Sequence, residues 1–148
     1  MELQQQLEHF RREHDAILRF LHEFEVALDA TNGRGGVAEL ERMENRLLAI
    51  RHHCREEEHS IEEPFQSCLE DVATERLRAD HELFDELLIS FREELRRSQI
   101  PFRAAELIRR GRLLLGHVRH HIAFEEGLLK QIEDATTGAE AGSAASAT

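Results

Sequence analysis

The sequence predicts an all-α domain, an antiparallel up-down-up-down bundle of four helices, and three observations predict it. Apolar residues recur every three or four positions in four long stretches, the period of helices that bury one face. The chain is rich in Glu, Leu, Arg and Ala, with two prolines and neither Trp nor Tyr, so helix has few local competitors. The segment Arg51-His52-His53 with Glu57-Glu58 returns 68 residues later as Arg119-His120-His121 with Glu125-Glu126. Glu13-His14-Asp15 is likewise echoed by Asp80-His81-Glu82, so the chain reads as two copies of one helical hairpin. At 148 residues these fit one domain around one core.

The first helix is predicted from Leu3 to about Ala30, on the stripe Leu3, Leu7, Phe10, Ile17, Leu21, Phe24 and Leu28, with His14 on the same stripe. Thr31-Asn32-Gly33-Arg34-Gly35-Gly36 breaks it as a loop. A second helix from about Val37 turns Leu40, Met43, Leu47, Ile50, His53, Cys54, Glu57, Ile61, Phe65 and Cys68 inward. Pro64 predicts irregular backbone from about Ile61 to Asp71, because proline removes a helix hydrogen bond. The third helix is expected from about Thr74, with Leu77, His81, Phe84, Leu88, Phe91 and Leu95 inward. Ser98-Gln99-Ile100-Pro101 closes it, and Pro101 suits the first turn of the fourth helix, where its missing N–H costs nothing. That helix buries Leu107, Gly111, Leu114, Val118, His121, Glu125, Leu128 and Ile132. From about Thr136 small and polar residues without an apolar period predict a disordered tail, so residues 1–135 are the bundle and 136–148 the tail.

Charge and cysteines narrow the function. A formal net charge of −11 argues against a nucleic-acid partner, whose phosphates are met by clustered Lys and Arg. Cys54 and Cys68 would lie roughly 21 Å apart on one helix, beyond disulfide reach, so reduced thiols are expected. No apolar run is long enough for a membrane span, and Met1 leads into Glu2-Leu3-Gln4 rather than a signal peptide. A cytoplasmic location without membrane association is the expectation.

A His and a Glu four residues apart share a helix face and reach one point. In an up-down-up-down bundle the second and fourth helices run parallel, which sets His53 and Glu57 beside His121 and Glu125. Two carboxylates buried without a cation would cost several kcal/mol each or take up protons. The six residues His14, His53, Glu57, His81, His121 and Glu125 are therefore predicted to form a metal site, whose imidazoles and carboxylates suit iron, manganese or zinc. His9, His22, His52, His59 and His120 fall off the inward stripe, although His52 and His120 flank the site and are weighed as supporting donors. Glu56-x-x-His59 matches a ferritin-like motif once, where two copies are needed.

These residues resemble the hemerythrin family, specifically the bacterial HHE cation-binding domains, over about residues 3 to 133. The resemblance implies a hemerythrin-like bundle around two non-heme iron ions, with His14, His53, His81 and His121 as terminal ligands and Glu57 and Glu125 as bridges. Two positions depart from the family pattern, and a third residue is a candidate to complete the site. Asp85 stands where a second third-helix His belongs, the family spacing on the fourth helix selects Glu126 over the Glu125 that the repeat prefers, and His117 is a candidate fifth nitrogen. Asp85 is the other candidate for that coordination position.

The resemblance implies a protein that binds or senses dioxygen or iron, at a pocket lined by residues such as Phe24, Ile50, Phe84 and Val118. Metal storage or homeostasis without oxygen chemistry is the alternative, with zinc or manganese in place of iron. A bundle with a purely structural role is the third reading. No separate acid, nucleophile or substrate pocket is legible, so a turnover enzyme is not expected.

Overall fold

Four helices make up the computed structural model, which describes residues 3–31, 36–65, 71–97 and 104–146. They are α1 (Leu3–Ala30), α2 (Gly36–Phe65), α3 (Asp71–Arg97) and α4 (Ala104–Ser146). Each packs along the next, and α4 returns to α1, which closes a four-sided bundle.

Side-chain pairs across each seam fix the helix directions. Glu13 and Glu23 of α1 meet His53 and Arg46 of α2, and Glu44 and Arg51 of α2 meet Arg92 and Asp85 of α3. Asp80 and Ser90 of α3 meet His121 and Arg110 of α4, while Glu25 and Asp29 of α1 meet Arg119 and Arg112. Rising numbers on one helix meet falling numbers on its neighbour at every seam. The bundle is antiparallel throughout. Most of these pairs are exposed or half-buried and contribute little energy singly, so apolar burial holds the bundle and the charges pin its register.

The core is split. A large cluster runs from Phe20, Leu21 and Phe24 through Leu47, Phe91 and Leu114 to Ile122, and a small one joins Leu7 and Phe10 to Leu129 and Ile132. On α1 His14 falls between Phe10 and Phe20, and on α4 Glu125 falls between Ile122 and Leu129. A polar layer therefore sits between two apolar plugs, shielded from water along the bundle axis.

Helix ends differ from the sequence reading in three places. α2 runs through Pro64 to Phe65, because a proline so near a helix end forfeits one backbone bond in the closing turns. α3 starts at Asp71 rather than Thr74, and that carboxylate lies in the first turn where the helix dipole favours it. The stretch from Thr136, expected to be a disordered tail, continues α4 to Ser146. There Thr136 Oγ1 donates to the Ile132 carbonyl at 2.8 Å, and Ala135, Ala139, Ala141, Ala144 and Ala145 carry the highest helix propensity. At the other turn, Thr31 caps α1 by donating from Oγ1 to the Ala27 carbonyl at 2.7 Å. Cys68, Pro101 and the glycines at 33 and 35 lie outside the described residues. Among the described residues no helix is long and apolar enough to cross a membrane.

Candidate metal centre

The polar layer holds all six residues expected there. His14 comes from α1, His53 and Glu57 from α2, His81 from α3, and His121 and Glu125 from α4, and each is buried. The two i,i+4 pairs lie side by side because α2 and α4 run parallel, while α1 and α3 each bring one imidazole from the opposite direction.

The donor atoms sort into two groups that share both carboxylates. His14, His53, Glu57 and Glu125 form one, and Glu57, His81, His121 and Glu125 form the other, with the donor atoms of each within 4.8 Å of one another. Glu57 turns Oε1 to His14 Nε2, 3.0 Å away, and to His53 Nε2, and turns Oε2 to His81 Nε2 at 3.7 Å. Glu125 does the converse, with Oε2 2.9 Å from His14 Nε2 and Oε1 beside His121 Nε2 and 3.6 Å from His81 Nε2. Each carboxylate presents one oxygen to each pair of histidines.

These atoms crowd together without satisfying one another. Glu57 Oε2, Glu125 Oε2 and His53 Nε2 are buried and make no hydrogen bond, although ring nitrogens and carboxylate oxygens lie within ion-pair distance. His81 Nε2 and His121 Nε2 face each other at 3.0 Å, a contact in which at most one of the two nitrogens can accept. Buried polar atoms are normally hydrogen-bonded. Lone pairs that converge without donors suit a cation, and the imidazole and carboxylate set fits iron, manganese or zinc.

Electrostatics describe the same need. Burial alone would strip His14 of its proton, but the carboxylates of Glu125 and Glu57 beside its Nε2 outweigh it and push the imidazole up to about 11. His53 and His121 are raised against burial by their carboxylate neighbours, and His81 by Cys54 and then by Glu125 and Glu57. Burial would raise Glu57 and Glu125, yet the facing histidines hold both below the usual carboxylate range. Protons balance the two negative charges where a metal cation would.

A ring of acids behind the histidines was missed in the sequence. Glu13 Oε2 accepts from His53 Nδ1 at 2.5 Å, Asp80 Oδ2 from His121 Nδ1 at 2.9 Å, and Glu126 Oε1 from His14 Nδ1 at 2.7 Å. Each fixes its ring with Nε2 toward the centre. The signal was present, since Glu13 and Asp80 directly precede His14 and His81 in the internal echo. Glu126, weighed as an alternative bridge, lies on the outer nitrogen of His14, and Glu125 occupies the centre. His52 and His120, weighed as supporting donors, are exposed, and His52 pairs with Glu56.

The two extra candidates are engaged otherwise, although His117 lines the chamber beside the centre and stacks on the His121 ring. Asp85 pairs with Arg51 at 3.0 Å, and His117 donates from Nε2 to the Asp80 carbonyl at 2.8 Å. Neither belongs to the two converging groups. Beside the centre lies a chamber of about 10 Å³ walled by Ile17, Ile50, Phe84 and Val118, the size that admits about one water. Phe24, expected in this wall, instead meets Phe91 edge-on in the large core cluster, at 5.5 Å between ring centroids.

The family model for the hemerythrin HHE cation-binding domain matches residues 5–132. The chain belongs to the hemerythrin HHE family. Neither a curated protein nor a solved structure matches it. As a hemerythrin-family bundle its match spans all four helices, and it takes in both donor groups and the three supporting acids.

Proposed function

We propose that this hemerythrin-family bundle, residues 1–135, holds a non-heme di-iron centre and uses it to bind or sense dioxygen or another diatomic molecule. His14 and His53 would serve one iron, His81 and His121 the other, and Glu57 and Glu125 would bridge them. The observation that carries this reading is the division of each carboxylate, one oxygen to each histidine pair. A single ion would not need two groups with shared oxygens. Bound iron would supply the electrons that a diatomic ligand takes up.

The chain's own residues supply the setting. Glu13, Asp80 and Glu126 hold three rings in the tautomer that leaves Nε2 free for metal. Ile17, Ile50, Phe84 and Val118 give the centre an apolar wall with room for about one water-sized ligand. The buried free thiol of Cys54 fits a reducing, cytoplasmic setting.

Purification without chelators, metal analysis and an aerobic spectrum test the reading. One iron per donor group, two in all, is expected, with near-ultraviolet absorption from an oxo-bridged ferric pair. His53→Ala and Glu57→Ala should each lose at least one iron, whereas the exposed His22→Ala should lose none. Full loading with zinc or manganese and no such absorption would favour storage or homeostasis. Unchanged loading in Glu57→Ala would sink the site.

A further inference from the structure

The two halves of the chain are alike at the centre and differ beside it. Residues of α1 correspond to those of α3 67 positions on, and residues of α2 to those of α4 68 positions on, so Glu13 answers to Asp80 and His53 to His121. Across the α3–α4 seam His117 reaches from α4 to the Asp80 carbonyl, and α3 carries the exposed Leu83. The equivalents at the α1–α2 seam are Ala49 and Ala16. Two small residues stand where the other half carries an imidazole and a leucine.

Their effect is a groove of about 290 Å³ between α1 and α2, walled by Ala16, Phe20 and Ala49 and floored by Ile17, Ile50 and His53. The same Ile17, Ile50 and His53 wall the inner chamber. Those two isoleucine side chains and one imidazole form a partition shared by the groove and the chamber. We propose that this groove is the entry route and holding site for a small uncharged molecule that reaches the centre on its His53 side. The proposal rests on the diatomic-binding reading above for its purpose, though not for its test.

The lining selects the ligand class. Alanine, isoleucine and phenylalanine surfaces favour a weakly polar molecule. The charges at the rim are already engaged, since Arg46 lies 2.5 Å from Glu23 and 4.3 Å above the Phe20 ring, and Glu13 holds His53. Arg46, which lines the groove, is already paired with Glu23, which disfavours an anion there. Entry then needs only a rotamer change of Ile17, which is half-buried, beside Ile50.

Cys54 provides a reporter beyond the partition, because it lines the chamber and is buried. In metal-free protein carrying Cys68→Ser it is the sole thiol, and its rate of modification by methyl methanethiosulfonate, a small uncharged reagent, measures passage. Rates are compared at one pH and against the parent protein carrying Cys68→Ser alone. Ala16→Leu and Ala49→Leu fill the groove without touching the donors, and each should slow modification about tenfold while the thermal midpoint holds. Ile17→Ala should speed it. Equal rates in a folded Ala49→Leu protein would overturn the proposal, and Ala16→Leu carries the same test should the first variant fail to fold. Loss of iron binding would sink the di-iron reading and leave this result standing, so the two failures are distinguishable.

Discussion

A histidine ligand is specified by both of its nitrogens. In this centre Nε2 faces the carboxylates while Nδ1 donates to Glu13, Asp80 or Glu126 in three of four rings. Such acids fix the tautomer and raise the basicity of the inner nitrogen, and losing one typically costs 10–100-fold in metal affinity. Glu13→Gln and Asp80→Asn keep the shape and remove the charge. Each should weaken metal binding by about 10–100-fold while the metal-free thermal midpoint stays unchanged, as titration calorimetry and a melting curve on the same sample would show. Glu56→Gln, at an exposed pair with His52, should change neither. A parallel fall in the metal-free midpoint would make Glu13 and Asp80 structural supports only. The sequence reading found the six inner residues because they lie on apolar stripes. It missed the acids because a residue beside a ligand points about 100° away on its own helix, and only the neighbouring helix gives it a target.

At the level of helices, the apolar period located every described segment and the contacts between segments corrected its details. On α4 Leu129, rather than the expected Leu128, joins the small cluster with Leu7, Phe10 and Ile132. One step along a helix is beyond what a period of 3.6 resolves near the edge of a stripe. Gly111 shows what the stripe alone does not reveal. A Cβ there would meet Leu28 Cδ2 at 2.5 Å, and Leu28 is wholly buried, so its side chain has no free space to enter. Alanine would gain about 1 kcal/mol of helix propensity and lose about 1–3 kcal/mol to overpacking. Gly111→Ala should therefore destabilise by about 1 kcal/mol, lowering the midpoint by about 3 °C. A raised midpoint would mean that α1 and α4 yield more easily than their packing implies.

For the molecule as a whole, the buried charges couple stability to pH and metal. In the metal-free protein His14 is raised to about 11 and the other three central histidines are raised as well. A raised histidine stabilises fully below its unfolded value, near 6.5, and loses that contribution as pH climbs toward the folded value. Glu57 and Glu125 are lowered, so their contribution is present above the usual carboxylate range and lost as pH falls below it. Metal-free stability should therefore peak between the usual carboxylate and histidine values, at about pH 5–6, and decline as pH climbs toward the folded His14 value of about 11, as denaturant titrations at successive pH values would show. Bound metal replaces those protons, so loading should release protons into buffer and flatten the alkaline decline. An alkaline slope equal in loaded and metal-free protein would contradict proton–metal exchange at this centre.

By itself the sequence determined the all-α class, the four helical segments and the six inward donors, because amphipathic period and internal repetition are local properties of a chain. The hemerythrin kinship was legible for the same reason, since it rests on spacing along helices. Tertiary structure decided which oxygen of Glu57 and Glu125 meets which histidine, that Asp85 belongs to Arg51 and His117 to the Asp80 carbonyl, and that Ala16 and Ala49 open one seam. Those facts depend on helices meeting at a particular height and rotation, and that register is set by the packing of the whole bundle rather than by any one segment.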